Sequence, residues 1–498
     1  MEAMKLLTVA LAVLLVSLTA YLRRSRLFYT PRPMPTILVG DPDVTRRLLI
    51  DHADAFSDHP ILPLGIDLDA GHPSTTSITS APHGPFWRAL RRNLTVNILH
   101  PSRVGALQVP LQRRAVEALV AGLSSAVGPD GGEVEVRDAI YAAVFATVAR
   151  LCVGEDGDGG LGERDVGAMR SLLRDFFHSD VGPTLLLTSR WARLVHWRKW
   201  RQLVGLRGRL AEVFGPAIAA RRLSRGRRGD ADGDGGGGGG ACGSYLDALI
   251  DVRVPAGCDD SDGGDARREL RDDEIVKLMW EFLGASTEAV VASVEWTLAR
   301  LVAEPEVQEK LHRGLTGGDR RNGQVPPEER LRDTPYLRAV VLESLRLHPP
   351  LPMLIRDVGP EGAAAAGFAP PPPPDGSLTR FLFNAEVIGR DAKAWTDPDE
   401  FRPERFLAGG EGEDVGPVPG LKEIKMVPFG AGRRHCPGAG LSMVHVGGIV
   451  AALVREFEWA PPAGGGGGGV DLKAVTALFV RVMASPLRAR VTPRLAPS

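Results

Sequence analysis

Cysteine and net charge are the two things that this sequence has little of. Its 498 residues include only four cysteines, Cys152, Cys242, Cys258 and Cys436. Their irregular spacing forms neither a disulfide framework nor a C-x-x-C pair, so we expect a reduced protein that faces the cytosol. The 60 Lys and Arg residues balance 61 Asp and Glu residues, for a formal net charge of −1. The sequence therefore has no excess of positive charge that would indicate a nucleic-acid partner.

The length and apolar content of the chain allow a large core. Hydrophobic residues make up 44% of the sequence, which is enough for two domains or for one large domain. Many of the 59 glycines and 39 prolines lie in short homopolymeric runs. Residues 225–240, which end in a run of glycines, are predicted to form a flexible linker. Residues 370–374 and 464–469 are predicted to be low-complexity loop insertions.

The N-terminus carries one uncharged, apolar stretch over residues 6–22, followed at once by Arg23, Arg24 and Arg26. Its length is at the short end of what spans a bilayer as a helix. A secretory signal peptide with cleavage after Ala20 is the alternative. Positive charge after the apolar stretch holds that side in the cytosol. We therefore predict an uncleaved membrane anchor over residues 1–26 and a cytosolic domain over residues 27–498.

A glycine-rich loop surrounds Cys436, directly before an apolar helix predicted for residues 441–457. Glycine lets a flat partner approach the backbone closely. A helix N-terminus and the neighbouring Arg434 would both stabilise a thiolate. These features suit a cysteine whose sulfur binds a metal. The commoner alternative is a free cysteine buried in a turn, and the local chemistry leaves both open.

The full string around this cysteine is more specific. The residues Phe429, Gly432, Arg434, Cys436 and Gly438 reproduce the spacing F-x-x-G-x-R-x-C-x-G, which resembles the haem-binding loop of the cytochrome P450 family. The resemblance implies that Cys436 is the axial thiolate ligand of the iron of haem b, and thiolate donation favours O–O cleavage. It also implies that Arg434 faces a haem propionate, that Phe429 packs near the sulfur and that Gly432 belongs to the haem-binding loop.

Three more residues are candidates for propionate contacts. Trp87 and Arg91 are four apart on a predicted helix and share one face. A solvated basic face is the usual explanation of such a W-R-x-x-R-R string, whereas the resemblance implies that Trp87 and Arg91 meet the propionates. Arg356 stands where family members commonly place another propionate contact. The sequence over residues 93–102 looks like that of one subgroup of plant microsomal (A-type) members.

A long apolar helix predicted for residues 273–303 contains an acid at its middle. Glu288 aligns with the acid of the family pattern A/G-G-x-D/E-T-T. Ser286 then stands at the usual glycine, and Ala289 replaces the threonine whose hydroxyl guides protons to bound oxygen. Thr287 and Ser286 are the hydroxyls left to substitute for it through water. The resemblance implies a proton relay through Glu288 and Thr287, whereas the plain alternative for Glu288 is a helix-surface carboxylate.

An E-x-x-R pair lies on a later helix. Glu343 and Arg346 can pair across one turn, and such a pair usually lies on a surface. Here it is followed by P-E-R-F, which includes Arg405. The resemblance implies a Glu-Arg-Arg structural triad that pins the cysteine-loop side of the core, and arginine suits bidentate binding of a carboxylate. All these motifs occur in the order in which the family has them.

The implied fold is mainly α with a small β-sheet, in one haem domain tethered by the N-terminal anchor. Residues 31–35 run almost directly into a strand-like stretch over residues 36–39. We therefore expect that the family's first helix and opening strands are missing from this chain.

The implied reaction inserts one oxygen atom from O2 into a small, largely apolar organic molecule. The resemblance also implies that NADPH supplies the electrons through a membrane-bound cytochrome P450 reductase, and that the enzyme sits in the endoplasmic reticulum membrane with a single pass. Arg88, Arg92 and Arg433 are expected to meet the acidic reductase. Two alternatives remain open, a haem binder with weak or no turnover and a reductase-independent enzyme that rearranges hydroperoxides.

Overall fold

The computed structural model describes residues 35–60, 76–155, 162–177, 197–231, 243–256, 266–317, 334–368, 378–463 and 469–494. The predicted anchor and the predicted insertion over residues 370–374 lie outside these ranges, as do Cys242 and Cys258. The predicted linker begins within a helix that runs to Ala231, and its remaining residues are also outside the described ranges.

Helices dominate the described residues, as the resemblance implies. In chain order they are α1 Pro42–Arg46, α2 Pro85–Asn97, α3 Pro101–Arg103, α4 Val109–Val127, α5 Arg137–Val153, α6 Glu163–Phe177, α7 Trp197–Ala231, α8 Tyr245–Asp251, α9 Asp272–Ala303, α10 Pro305–Thr316, α11 Pro335–Leu347, α12 Pro360–Ala365, α13 Ala385–Ile388 and α14 Ala439–Glu456. Four short helical turns accompany them, Arg47–Asp51, Val104–Gln108, Pro403–Phe406 and Gly432–Arg434.

The strands form several small sheets rather than the one sheet expected. In chain order they are β1 Thr36–Val39, β2 Gly132–Glu135, β3 Arg253–Pro255, β4 Arg267–Glu269, β5 Met353–Val358, β6 Thr379–Asn384, β7 Phe457–Ala460, β8 Ala474–Ala477, β9 Val480–Met483 and β10 Arg488–Pro493. One sheet has the order β1-β6-β5, with β1 parallel and β5 antiparallel to the central strand. A second, antiparallel sheet has the order β2-β10-β7, and β3-β4 and β8-β9 form two-stranded pairs.

Helix α9 is the centre of the core, because its side chains are apolar on nearly every face. It packs against α5, α11 and α14. Near its C-terminal end, the Trp296 ring stacks on His348 with ring centroids 4.1 Å apart, and Arg300 Nε donates to His348 Nε2 at 2.9 Å. Burial lowers the pKa of His348 to about 2. The imidazole is therefore neutral and can accept this hydrogen bond, which ties α9 to the end of α11.

Helix α14 follows the cysteine loop and lies inside the protein. Within the described residues it is the one helix whose length and composition would allow it to cross a membrane, yet 72% of it is buried in the fold. It packs against α4, α9 and α10. Its apolar character is therefore that of a core helix, and its position fixes the loop that leads into it.

Candidate haem site

The loop that carries Cys436 depends on two glycines. Gly430 and Gly432 have φ of 70° and 72°, in the left-handed region that glycine adopts without steric cost. A Cβ on Gly432 would overlap the carbonyl oxygen of Leu49. The loop is closed by a hydrogen bond from Cys436 N to Phe429 O at 2.8 Å. These constraints place the cysteine just before α14, whose N-cap is Gly438.

Cys436 has the surroundings of a thiolate that needs a cation. The residue is partly exposed, whereas Arg434 and Ala439 on either side of it are buried. Burial raises the pKa of the Cys436 thiol, while a hydrogen bond from the Gly438 backbone and the charge of Arg91 lower it. Arg91 is held nearby because its Nη2 donates to His435 O at 2.7 Å. A metal ion bound to the sulfur would complete the stabilisation of the thiolate.

The structure brings Trp87, Arg91 and Arg434 together. The Arg434 guanidinium lies 4.5 Å from the centroid of the Trp87 ring, and that of Arg91 lies 5.9 Å from it. Arg434 donates to the carbonyls of Ser57 at 2.6 Å and Ile78 at 2.8 Å. Trp87 Nε1 donates to the same Ile78 carbonyl at 3.1 Å. The predicted propionate contacts therefore already have backbone partners and fasten the segment before α2 to the cysteine loop.

Arg356 provides the clearest test of whether an anionic group fits this site. It lies on β5 with 2% of its surface exposed. Its Nη1 donates to Ile355 O at 2.8 Å, and its Nε has no partner among the described residues. Burial lowers the pKa of Arg356 to about 9, with a further contribution from the charge of Arg434, while Asp58 acts in the opposite direction. The buried charge of Arg356 and its unused donor favour an incoming carboxylate, as a haem propionate would provide, whereas Arg434 already pairs with Asp58 at 3.6 Å.

Helix α9 has an open face in its middle. Ala285 is exposed in the middle of the helix, and Ser286 and Ala289 are partly exposed, although α9 is buried at both ends of this stretch. One turn earlier, the Glu281 carboxylate accepts from the backbone of Ile78 at 2.9 Å, and Arg434 binds the carbonyl of that residue. Glu281 therefore connects the open face of α9 to the cysteine loop. The i, i+7 spacing of Glu281 and Glu288 in an apolar helix was the available sequence signal for it, and sequence reasoning missed it.

The structure separates the two residues predicted to relay protons. At about 100° per residue, Thr287 lies about 200° around the helix from Ala285. Thr287 is fully buried, and its hydroxyl has no partner among the described residues. Helix rotation therefore turns Thr287 into the core, away from the open face. Glu288 lies about 60° from Ala285, at the edge of this face.

The structure also brings the predicted triad together. Arg346 donates from Nε and Nη2 to the two carboxylate oxygens of Glu343 at 2.7 and 2.8 Å. Arg405 Nε donates to Oε1 of the same carboxylate at 3.1 Å. All three side chains are buried, and the backbone carbonyls of Gly389 and Pro398 accept from Arg346. The triad joins α11 to the segment that precedes the cysteine loop.

A separate cleft of about 800 Å3 lies between α4, α5 and α6. Alanines and other apolar residues form much of its lining, and none of its lining residues comes from the cysteine loop or from α9. The chemistry predicted from the sequence therefore lies elsewhere.

Comparison with known proteins agrees with this geometry. The family model described as Cytochrome P450 matches residues 26–467. Cytochrome P450 89A9 of Arabidopsis thaliana is 33% identical over 471 residues, which cover 92% of this chain and 84% of the relative. The chain belongs to the cytochrome P450 family.

Other plant relatives cover the chain to a similar extent. Trimethyltridecatetraene synthase of Zea mays is 30% identical over 92% of this chain and 80% of its own length. Cytochrome P450 703A2 of Oryza sativa subsp. japonica is 29% identical over 93% of this chain and 84% of its own length. As a cytochrome P450, the protein is a haem-thiolate monooxygenase. The partly exposed cysteine and the unpaired donor of Arg356 fit the haem that this family uses.

The buried triad leads to a prediction about stability. The substitution Glu343→Gln removes the negative charge with which the buried guanidinium groups of Arg346 and Arg405 pair. We expect the free energy of unfolding to fall by about 3–5 kcal/mol, the usual cost of breaking a buried ion pair. Chemical denaturation of the purified protein measures this change.

Asp399→Asn is the matched control, because Asp399 pairs with Arg390 while 84% exposed. Its expected cost is about 0–1 kcal/mol. Equal costs for the two variants would contradict a special role for the triad.

The backbone of the cysteine loop leads to a second prediction. Gly432→Ala places a Cβ against the Leu49 carbonyl at a positive φ, a conformation that costs about 1–3 kcal/mol even without the overlap. We expect the variant to bind less haem per mole of protein. Gly440→Ala is the control, since no atom lies within 4 Å of the added Cβ. Haem content should match that of the unmodified protein in the control, and equal haem loss in both variants would refute the explanation.

Proposed function

We propose that this monooxygenase inserts one oxygen atom from O2 into a small, largely apolar organic substrate. NADPH provides the electrons through NADPH–cytochrome P450 reductase. The observation that carries the proposal is the partly exposed Cys436 in its loop, which Arg434 and Ile78 connect to Glu281 of α9, one turn before the open face of that helix. That face presents the small side chains of Ala285 and Ala289, which leave room for an apolar molecule. The relative named for a tetraene product supports the same class of substrate.

In this proposal the residues of the cysteine loop and its neighbours hold the haem. Cys436 binds the iron, and Phe429 and Gly432 shape the loop around it. Haem, when bound, supplies the activation of dioxygen by two electrons. Arg356 pairs with a propionate through its unused donor. Arg91, Arg434 and Trp87 supply positive charge and N–H groups next to it, and Arg434 reaches a propionate only by exchanging a backbone carbonyl partner.

The open face of α9 is the side on which substrate and water meet. Glu288 is the acid at its border, and burial raises the pKa of Glu288 to about 7. A carboxyl with this pKa can hold and release a proton near neutral pH. Ser286 is the hydroxyl that remains on the partly exposed side of the helix. We therefore assign proton transfer to Glu288 and bound water, and we do not assign it to Thr287.

The proposed location is the endoplasmic reticulum membrane, with residues 1–26 as a single-pass anchor and the haem domain in the cytosol. Arg88, Arg92 and Arg433 are exposed, and the first two share one face of α2 at i, i+4 spacing. Arg433 is partly neutralised by Asp54, with an N–O distance of 2.5 Å. We propose that these arginines receive the reductase, since complementary charge raises the rate of encounter. Membrane lipid would contact the anchor.

The alanine at position 289 is also compatible with the two other candidate functions. The missing hydroxyl would also suit an enzyme that rearranges hydroperoxides without a reductase, or a haem binder that turns over poorly. The loop from Phe429 to Cys436 has the ordinary family spacing, which favours the monooxygenase. Consumption of NADPH with reconstituted reductase separates the three, because only the monooxygenase couples it to an oxygenated product.

Restoring the hydroxyl leads to a prediction. We expect Ala289→Thr to raise the fraction of NADPH that ends in product by about tenfold or more, because a positioned proton donor is typically worth about 10²–10⁴ in rate. The measurement is product formed per NADPH consumed with reconstituted reductase.

Val290→Thr is the control for this substitution. It adds a hydroxyl at the next position, which is 3% exposed and lies about 140° around the helix from Ala285. Its coupling should not change. An unchanged coupling in Ala289→Thr would show that the alanine does not limit turnover.

A further inference from the structure

One buried acid in the core differs from its neighbours in the partner that it has. Glu274, Glu295 and Glu343 each form an ion pair with arginine. Glu288 is 8% exposed and forms no ion pair among the described residues. Its Oε1 instead accepts a hydrogen bond from Tyr141 Oη at 3.1 Å. A phenol is therefore the direct partner of the acid that borders the open face.

Tyr141 lies on α5 with 3% of its surface exposed. Arg174 of α6 lies 5.6 Å from the centroid of its ring, and this arginine pairs with Asp138 at 2.8 Å. Arg174 is 43% exposed and Asp138 is 65% exposed. The outer side of the tyrosine is therefore one side chain from solvent, whereas its hydroxyl reaches the inner acid.

Among the residues that the structure describes, few charged groups act on this pair. Burial raises the pKa of Glu288, and the Tyr141 hydrogen bond and the charges of Arg174 and Arg137 lower it. Arg137 is itself bound to Glu295 at 2.8 Å, and the positive charge of Arg170 lowers the pKa of Tyr141. Burial also raises the pKa of Tyr141 far above its ordinary range. The tyrosine therefore remains protonated and can donate to Glu288 whenever that group is a carboxylate.

The position of Glu288 on α9 gives it access to two sides. It lies about 60° around the helix from Ala285, between the face that contacts α5 and the open face. Its neighbour Ala289 offers no hydroxyl to carry a proton onward. Rotation about the side-chain bonds of Glu288 would move its carboxyl from Tyr141 to the open face, where water is the available acceptor.

We propose that Tyr141 is a positioning residue that holds the Glu288 carboxyl on the α5 side of α9 between deliveries of a proton to water on the open face. The inference rests on the proposed function. In each delivery the Glu288 O–H bond breaks and water takes the proton. The resulting carboxylate returns to the Tyr141 O–H, and a proton from solvent water then restores the acid. The phenol keeps its own proton throughout.

The first experiment needs no turnover. Infrared difference spectra of the full-length protein against Glu288→Gln follow the Glu288 carboxyl as a function of pH. We expect a midpoint near the pKa of about 7. In Tyr141→Phe the carboxylate loses a donor, so the midpoint should rise by about one pH unit or more. Tyr336→Phe is the matched control, because Tyr336 Oη donates to Glu404 at 2.9 Å in another part of the chain, and it should leave the midpoint unchanged.

Stability provides an independent readout with a definite sign. The pKa of Glu288 is raised in the folded state, so its contribution to stability is complete below the unfolded pKa of about 4.3 and is lost as pH rises through the folded pKa. The melting temperature should therefore fall between about pH 4 and 7 in the unmodified protein more than in Glu288→Gln. In Tyr141→Phe this fall should begin at the same pH and continue to higher pH, because only the folded-state pKa rises.

The second experiment uses the haem-loaded enzyme with reductase. Product formed per NADPH should fall at alkaline pH, and the midpoint of this decline, the alkaline limb of the pH profile, should match the infrared midpoint of Glu288. The alkaline limb should move to higher pH in Tyr141→Phe and vanish in Glu288→Gln. A shifted infrared midpoint with an unmoved limb would reduce Tyr141 to a structural role and overturn the inference.

Two other results distinguish the inference from the function on which it rests. An unchanged midpoint in Tyr141→Phe, with NADPH-dependent turnover intact, overturns the inference and leaves the proposed function standing. A shifted midpoint without any turnover in the unmodified enzyme overturns the proposed function and the proton delivery with it.

Discussion

This site depends on buried charged groups that are not fully balanced by groups of opposite charge. Burial works against a thiolate at Cys436, and among the described residues the Gly438 backbone and the nearby charge of Arg91 offset it. The same neighbourhood buries Arg356 and Arg434, whose pKa values burial lowers to about 9 and about 10, and Asp58, which pairs with Arg434 at 3.6 Å, offsets burial only in part. A cation at the sulfur and an anion at the arginines would resolve both imbalances, and haem carries the two together.

The rest of the fold keeps this arrangement in place from several directions. The glycines of the loop allow close approach to the Leu49 carbonyl, and α14 carries the loop into the core. The Glu343 triad fixes the preceding segment through an arginine fork with nearly all its donors used. From the other side, α9 reaches the loop through Glu281 and the backbone of Ile78. The site is thus assembled from segments that are far apart in sequence.

The sequence predicted most reliably what depends on short spacings. The Cys436 loop is defined by the short stretch from Phe429 to Gly438. Glu343 and Arg346 are neighbours on one helix. The contacts within each of these groups therefore follow from local geometry. The mainly helical architecture also followed from the family resemblance. The division of the strands into separate sheets did not follow, because strand pairing between distant segments is set by tertiary packing.

The side of the site that α9 forms was harder to predict for the same reason. A motif comparison fixes Thr287 and Glu288 in the chain but does not fix the rotation of α9, which turns Thr287 into the core. The partnership of Tyr141 with Glu288 joins two helices, and no spacing in the sequence reveals it. The backbone partners of Arg434 and Trp87 likewise depend on how the segment before α2 folds onto the loop. Contacts between segments that are far apart in the sequence determine all of these arrangements.

The most direct test of the account is the absorption spectrum of the purified, haem-loaded protein after reduction and exposure to carbon monoxide. Coordination by the Cys436 thiolate predicts the red-shifted band of thiolate-bound haem, and Cys436→Ser should lack it. Haem bound to the unmodified protein without that band would contradict the assignment of Cys436 as the iron ligand.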